Sequence, residues 1–162
     1  MYRIGIITAS DKGSRGERED ISGRTIEEMI QGIGEIAAYL IVPDEQRALS
    51  AAMIEMADQQ GIDLILTTGG TGLGPRDVTP EATLAVIDRL VPGIPEAMRA
   101  ESLKKTSRAM LSRAVAGTRG RTLIINLPGS PKGVRECLEV VLPSLEHGLA
   151  IMTGQSGECG QK

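Results

Sequence analysis

Asp44 and Asp77 are the residues of this sequence whose type and position best suit catalysis. Each follows a short apolar run by a short interval, so an α/β fold would bring both carboxylates to one edge. Two carboxylates beside phosphates suit Mg2+, a hard cation that takes oxygen ligands and keeps substrate phosphates in its shell. Plainer roles stand beside that one: Asp44 as N-cap of the helix that follows, Asp77 as a turn residue. Between the two acids the run Leu64-Ile65-Leu66-Thr67-Thr68 collapses into Gly69-Gly70-Thr71-Gly72-Leu73-Gly74. Consecutive glycines expose backbone N–H groups and let a ligand come close, and a strand–loop–helix order is where α/β proteins hold phosphates. The loop fits neither familiar fingerprint. Pro75 stands where the third glycine of G-x-G-x-x-G belongs, and Gly74 is followed by Pro75-Arg76 where a P-loop needs Lys-Ser/Thr. A loop that needs positive φ for shape alone is the alternative.

A second punctuated turn, Asn126-Leu127-Pro128-Gly129-Ser130-Pro131-Lys132-Gly133, repeats the logic. Ser130 suits an N-cap and Pro131 a first helical residue. Lys132 then lies in the first turn, where the helix dipole disfavours a cation and a bound anion would compensate it. A merely exposed lysine there would cost only about a few tenths of a kcal/mol. From Arg99 to Arg135 nine basic residues face one acid, Glu101, although the whole chain carries a net charge of −3. That segment suits an anionic ligand or a solvated basic face. The total charge argues against a generic nucleic-acid or membrane coat. With no Phe or Trp and only Tyr2 and Tyr39, aromatic platforms for stacking bases are nearly absent. His147, the only histidine, falls late in the last helix, so no Ser/His/Asp or Cys/His set can be assembled. Chemistry here must come from positioning and electrostatics.

The elements that position these residues follow from hydrophobic pattern. The 162 residues fit one domain, which at that size buries roughly 70% of its unfolded surface. Strands are expected at Tyr2 to Thr8, Ile36 to Val42, Ile62 to Thr68 and Thr122 to Asn126. Residues 9–20 read as a long polar loop, and Asp20 or Ser22 caps a helix carrying Ile26, Met29, Ile30 and Ile33. Further helices are expected from about Glu45 to Gln60, from Thr79 as N-cap with Leu84, Ile87 and Val91 facing the core, and from about Glu96 to Lys105. The last starts near Pro131. Ser107 to Gly120 reads as a short helix or an irregular strand around Ala109 to Val115. From Met152 onward the chain is a polar, Gly-rich tail, so residues 1–152 form the domain and 153–162 a flexible extension. Alternating strands and helices mean a three-layer α/β/α sandwich with a mostly parallel sheet, which crowds Asp11, Asp44, the Gly69 loop and the Asn126 loop onto one edge. Cys137 and Cys159 have no metal spacing and form no disulfide framework. No signal segment or membrane-length apolar run is present, and a cytoplasmic location is expected.

Thr67-Thr68-Gly69-Gly70-Thr71-Gly72 with Arg76-Asp77-Val78-Thr79-Pro80-Glu81-Ala82-Thr83 resembles the signature of the Mog/MoaB family of molybdenum cofactor biosynthesis. Ser10-Asp11, Asp20-x-Ser22-Gly23, Pro43-Asp44-Glu45, Glu101-Ser102-Leu103-Lys104, Met110-Leu111-Ser112-Arg113 and Asn126 to Pro131 support it, so the likeness runs from about Arg3 to Gly148. The resemblance implies a molybdopterin adenylyltransferase that uses ATP and Mg2+ to adenylylate the terminal phosphate of molybdopterin, releasing pyrophosphate. It further implies a homotrimer and a handover to the molybdenum-inserting enzyme of the pathway. By position, Asp44 and Asp77 resemble the catalytic, metal-organising pair. Asp11, Thr68, Gly69, Gly70, Thr71 and Gly72 resemble nucleotide contacts. Ser102, Ser112, Arg113, Asn126, Pro128, Gly129 and Ser130 resemble substrate contacts. Ser107-Arg108 departs from the family's usual Pro and apolar pair, which bears on local loop shape. Two other readings remain open: a non-catalytic family member that binds molybdopterin, and a nucleotide hydrolase using the same Mg2+ site.

Overall fold

A computed structural model describes residues 1–155. Three nearly pure apolar runs form its centre: β1 (Tyr2–Ala9), β3 (Leu64–Thr68) and β6 (Thr122–Leu127). Because side chains alternate across a strand, Ile4, Ile6, Leu64, Leu66, Leu123 and Ile125 enter one core cluster. Ile7, Ile65 and Ile124 enter the other. On the first face lie α2 (Ile21–Met29), α5 (Gly93–Leu103) and α6 (Pro131–Met152), with Ile26, Met98, Leu138 and Leu145 buried there. On the second lie α3 (Gln46–Ile54) and α4 (Thr79–Leu84), with Leu49, Met53 and Ala82. The expected three-layer α/β/α sandwich is the observed fold.

The sheet has six strands in the order β2-β1-β3-β6-β5-β4, where β2 is Gly34–Val42, β4 is Arg89–Leu90 and β5 is Ala116–Arg119. β2, β1, β3 and β6 are parallel, and β5 runs antiparallel between β6 and β4. The register sets the site. Ala9 pairs with Val42, Thr8 with Thr68 and Thr68 with Leu127, so four neighbouring strands end at one level. The residues just beyond them, Ser10, Pro43, Gly69 and Pro128, therefore share one edge.

Several local expectations need correction. The polar segment after β1 contains a short helix, α1 (Asp11–Ser14), capped by Ser10. The helix expected from about Glu45 to Gln60 is α3 followed by a π-helical turn at Glu55–Gln59. Val78, not Thr79, occupies the cap position of α4, because the Thr79 hydroxyl donates back to the Gly69 carbonyl at 2.9 Å. That helix stops at Leu84, which is 49% exposed; Ile87 and Val91 lie beyond it and pack on opposite faces of the sheet. α5 begins at Gly93, with Pro95 in its first turns, where a proline's missing N–H does no harm. Ser107–Leu111 is a 3₁₀ turn and Ala116–Arg119 a strand, so helix and strand both occur in the ambiguous segment. α6 reaches Met152; Cys159 and most of the expected tail lie outside the described residues. Among the described residues no helix is long and apolar enough to cross a membrane.

Asn126 ties the layers together beneath the edge. Its amide nitrogen donates to Thr67 Oγ1 at 3.0 Å and Thr83 Oγ1 at 2.9 Å, and its oxygen accepts from the Val115 amide at 3.2 Å. It has no exposed surface. Asn126→Ala strands these groups in the core, and a loss of roughly 2–4 kcal/mol is expected in chemical denaturation. A loss under about 1 kcal/mol would show the network to be dispensable.

Candidate functional site

The exits of β1 and β2 hold one another through their acids. The Asp11 amide donates to Asp44 Oδ2 at 3.0 Å, and the Asp44 amide donates to Asp11 Oδ1 at 2.9 Å. Asp44 is therefore not a helix cap. Glu45 occupies that position and makes no side-chain cap bond. Arg76 clasps Asp11 with both arms of its guanidinium, Nε to Oδ2 at 3.0 Å and Nη2 to Oδ1 at 2.9 Å. This pairing and the Asp44 amide hold the Asp11 carboxyl below the usual carboxylate range. Asp44 shifts the other way. Partial burial raises its pKa, and the negative charges of Asp11 and Asp77 add to the effect, against the Asp11 amide and Arg76.

The glycine loop turns beside this pair. Gly69 and Gly70 have φ of +92° and +69°, a region that favours glycine. A Cβ on Gly69 would sit 2.5 Å from the Ala9 carbonyl oxygen, and one on Gly70 would collide with Thr79 Oγ1 and approach Asp44 Oδ1 at 3.4 Å. Thr79 holds the loop from within: its amide donates to the Gly70 carbonyl at 3.1 Å while its hydroxyl takes Gly69. Asp77 closes the loop as a turn residue, its Oδ2 accepting the Gly74 amide at 2.9 Å. Its charge still reaches Asp44, so turn and electrostatic roles coexist. Among the described residues no protein acceptor takes the amides of Gly70, Thr71 or Gly72. Three successive free donors are the feature that an anion cradle requires.

Arg113, which the motif placed among the substrate contacts, braces this loop. Its Nε donates to the Gly72 carbonyl at 2.8 Å, Nη2 to the Asp77 carbonyl at 2.7 Å, and Nη1 to Glu81 Oε1. Its backbone amide takes the Thr71 carbonyl at 2.9 Å. Asn126 is likewise internal. Thr68 is buried, its hydroxyl donating to the Pro128 carbonyl at 2.6 Å. The other motif residues do meet. Ser102, Ser112, Pro128 and Ser130 line a cavity of about 550 Å³ that opens from Thr71 and Gly72 between α5, the 3₁₀ turn and the start of α6. Ser130 caps α6 by accepting the Gly133 amide at 3.0 Å. Arg99, Lys105, Arg108 and Lys132 give the cavity its positive character, with Glu136 opposing. The rest of the basic segment is used elsewhere, Arg119 on Asp58 and Arg135 on Glu28. Gly129 faces the other way, toward a polar cavity of about 490 Å³ with Ser10, Asp20 and Ser22. Asp20 caps α2 through the Gly23 amide at 2.9 Å and binds Thr8 and Tyr39, while Ser22 donates to the Gly129 carbonyl at 2.6 Å. His147 lies near the far end of α6, roughly 24 Å along the helix from its start.

A family profile described as a probable molybdopterin binding domain matches residues 5–147. The chain belongs to that family. Members share its proportions: the molybdopterin adenylyltransferase of Helicobacter pylori is 43% identical over an alignment that covers 98% of this chain and 92% of the relative. The protein of the same name from Escherichia coli K12 is 44% identical, with 86% of this chain and 73% of the relative covered. The crystal structure of the molybdopterin biosynthesis enzyme MoaB of Thermus thermophilus superposes with a TM-score of 0.90 at 58% identity, covering 95% of this chain and 98% of that one. Within this molybdopterin-binding-domain chain, sequence reasoning missed Arg76 and Thr79 as site-forming residues. Their partners lie 65 and 10 positions away, and no local pattern marks such pairings.

The raised pKa of Asp44 has a stability consequence. The folded chain binds this proton more tightly than the unfolded chain does, so ionised Asp44 opposes folding. That opposition is absent below the ordinary carboxylate pKa of about 3.9, grows as pH rises toward the folded value, and is complete above it. Asp44→Asn keeps an acceptor for the Asp11 amide and removes the charge. The variant is expected to melt above the wild type at about pH 7.5, with the difference closing toward about pH 4. A lower melting temperature at about pH 7.5 would contradict the assigned direction.

Proposed function

We propose that this protein is a molybdopterin adenylyltransferase, transferring AMP from ATP to the terminal phosphate of molybdopterin with release of pyrophosphate. The observation that carries the reading is the meeting of three free loop amides, Gly70 to Gly72, with the Asp11–Asp44–Asp77 edge at the mouth of a basic cavity. The relatives named molybdopterin adenylyltransferase match nearly the whole chain.

In this reading the molybdopterin phosphate oxygen attacks the α-phosphorus of ATP, and the bond to the β-phosphate oxygen breaks as pyrophosphate leaves. Such a transfer needs charge neutralisation and in-line alignment more than a strong base, which fits a site without a histidine. Gly69 to Gly72 and Thr71 cradle the triphosphate; the cavity with Ser102, Ser112, Pro128 and Ser130 holds molybdopterin, its phosphate drawn by Lys105, Arg108 and Lys132. Thr68, Arg113 and Asn126 act by holding the loop, and Gly129 by joining β6 to α2. Asp44 and Asp77 offer the hard oxygen donors that Mg2+ takes; burial, with the charges of Asp11 and Asp77 added, disfavours ionised Asp44, and a cation would relieve that cost. Mg2+ there would neutralise phosphate charge. A cytoplasmic location, assembly as a homotrimer, delivery of product to a molybdenum-inserting enzyme, and a functional unit of residues 1–152 belong to the same proposal. The end of α6 at Met152 supports the last.

The test is to incubate the protein with molybdopterin, ATP and Mg2+ and look for adenylylated molybdopterin and pyrophosphate. Wild type is expected to form both, and Asp77→Asn to retain molybdopterin but lose at least about a hundredfold in turnover, the scale of one misplaced electrostatic group. Absence of product under conditions where the Escherichia coli relative turns over would overturn the enzyme reading. Loss of molybdopterin binding in Asp77→Asn would make Asp77 a substrate contact.

A further inference from the structure

We propose that Arg76 is an exchangeable counter-ion: it neutralises Asp11 in the ligand-free protein and turns onto the triphosphate of the nucleotide when a divalent cation takes over the acids. The inference rests on the adenylyltransferase reading and assigns a role within it to a residue outside the acid pair and the glycine loop.

The Arg76 fork fills both oxygens of Asp11, and the Asp44 amide takes Oδ1 as well. While Arg76 stays, Asp11 has little capacity left for a cation, and Asp44 Oδ1 faces Gly70 with no protein donor on it. Arg76 is the cation hydrogen-bonded to Asp11, with Arg15 acting on the same carboxylate without a hydrogen bond to it, and Arg76 feels Glu45 and Asp44 besides Asp11. Its grip is nonetheless loose. The side chain is 59% exposed, so the clasp, although bidentate, is weakened by solvent and open to exchange. The guanidinium fork matches a phosphate as well as a carboxylate, so moving from Asp11 to phosphate conserves its hydrogen bonds.

The flanking backbone is fixed while the side chain is free. Arg113 holds the Asp77 carbonyl at 2.7 Å, and the Asp77 amide takes the Gly74 carbonyl at 3.0 Å. Exchange therefore needs rotation of one exposed side chain, not movement of the loop. Charge drives it: a divalent cation at the acids repels Arg76, while the triphosphate that arrives with it attracts the guanidinium.

Calorimetric titration of wild type, Arg76→Gln and Arg76→Lys with Mg2+ alone and then with Mg2+ and a non-hydrolysable ATP analogue separates the two halves. Arg76→Gln removes a competing charge and a phosphate donor. It is expected to bind Mg2+ about tenfold tighter and the nucleotide about tenfold weaker. Arg76→Lys keeps the charge and loses the fork, so Mg2+ affinity should stay near wild type while nucleotide affinity falls several-fold. Opposite movement of the two affinities is a signature that a merely structural clasp cannot produce. If Arg76→Gln leaves both unchanged, or weakens both, the exchange is refuted and Arg76 is a latch between two loops. Should Arg76→Gln melt far below wild type, Arg76→Lys decides alone, and unchanged nucleotide affinity in it refutes the proposal. Failure of the enzyme reading is distinguishable, because it appears as missing product in wild type and leaves these titrations readable.

Discussion

The reciprocal bonds between Asp11 and Asp44 are the constraint on which the site depends. Each residue gives its backbone N–H to the other's carboxylate, so the exits of β1 and β2 cannot separate without losing two charge-assisted bonds. This fixes two like charges side by side, which is unfavourable unless a cation is at hand. Arg76 supplies one, and burial of Asp44 sharpens the need. The edge is thus built under electrostatic tension that a cationic or cation-bearing ligand relieves.

Everything around the acids serves to hold the neighbouring loop still. Gly69 passes so close to Ala9 that no side chain fits, and Thr79 fastens the turn from inside the second layer. Arg113 spans the loop from Gly72 to Asp77, and Asn126 anchors the strand ends below. The result is a braced loop whose Gly70, Thr71 and Gly72 amides have no protein acceptor among the described residues. Orientation fixed during folding need not be acquired at binding, which lowers the reorganisation the reaction must undergo. The basic cavity behind Thr71 and Gly72 lies next to this loop, where the proposed second anionic substrate would meet the first.

Much of this was legible in the sequence because the sheet is parallel and buried on both faces. Unbroken apolar runs marked β1, β3 and β6, and strand ends followed by Gly, Pro and Asp marked the edge. β4 and β5 were not legible, being two and four residues long, with Gly117 inside the second. α4 was misjudged because Thr79 looked like a cap while its hydroxyl serves the loop. For the polar residues the sequence did not show the internal bonds they make. Arg113 and Asn126 matched substrate positions, yet their donors are engaged with Gly72, Asp77, Thr67 and Thr83 across 36 to 59 positions of chain. Partners that distant leave no periodic trace, so the bracing bonds of Arg113 and Asn126 are visible only in the folded geometry.

In the proposed complex one strand edge holds the nucleotide phosphates between the glycine-loop amides and the paired acids. A crystal structure of the protein with Mg2+ and a non-hydrolysable ATP analogue tests it most directly. The account expects the triphosphate to accept the amides of Gly70, Thr71 and Gly72, with the cation between it and the carboxylates of Asp44 and Asp77. A triphosphate seated elsewhere, with those amides facing solvent, would contradict it.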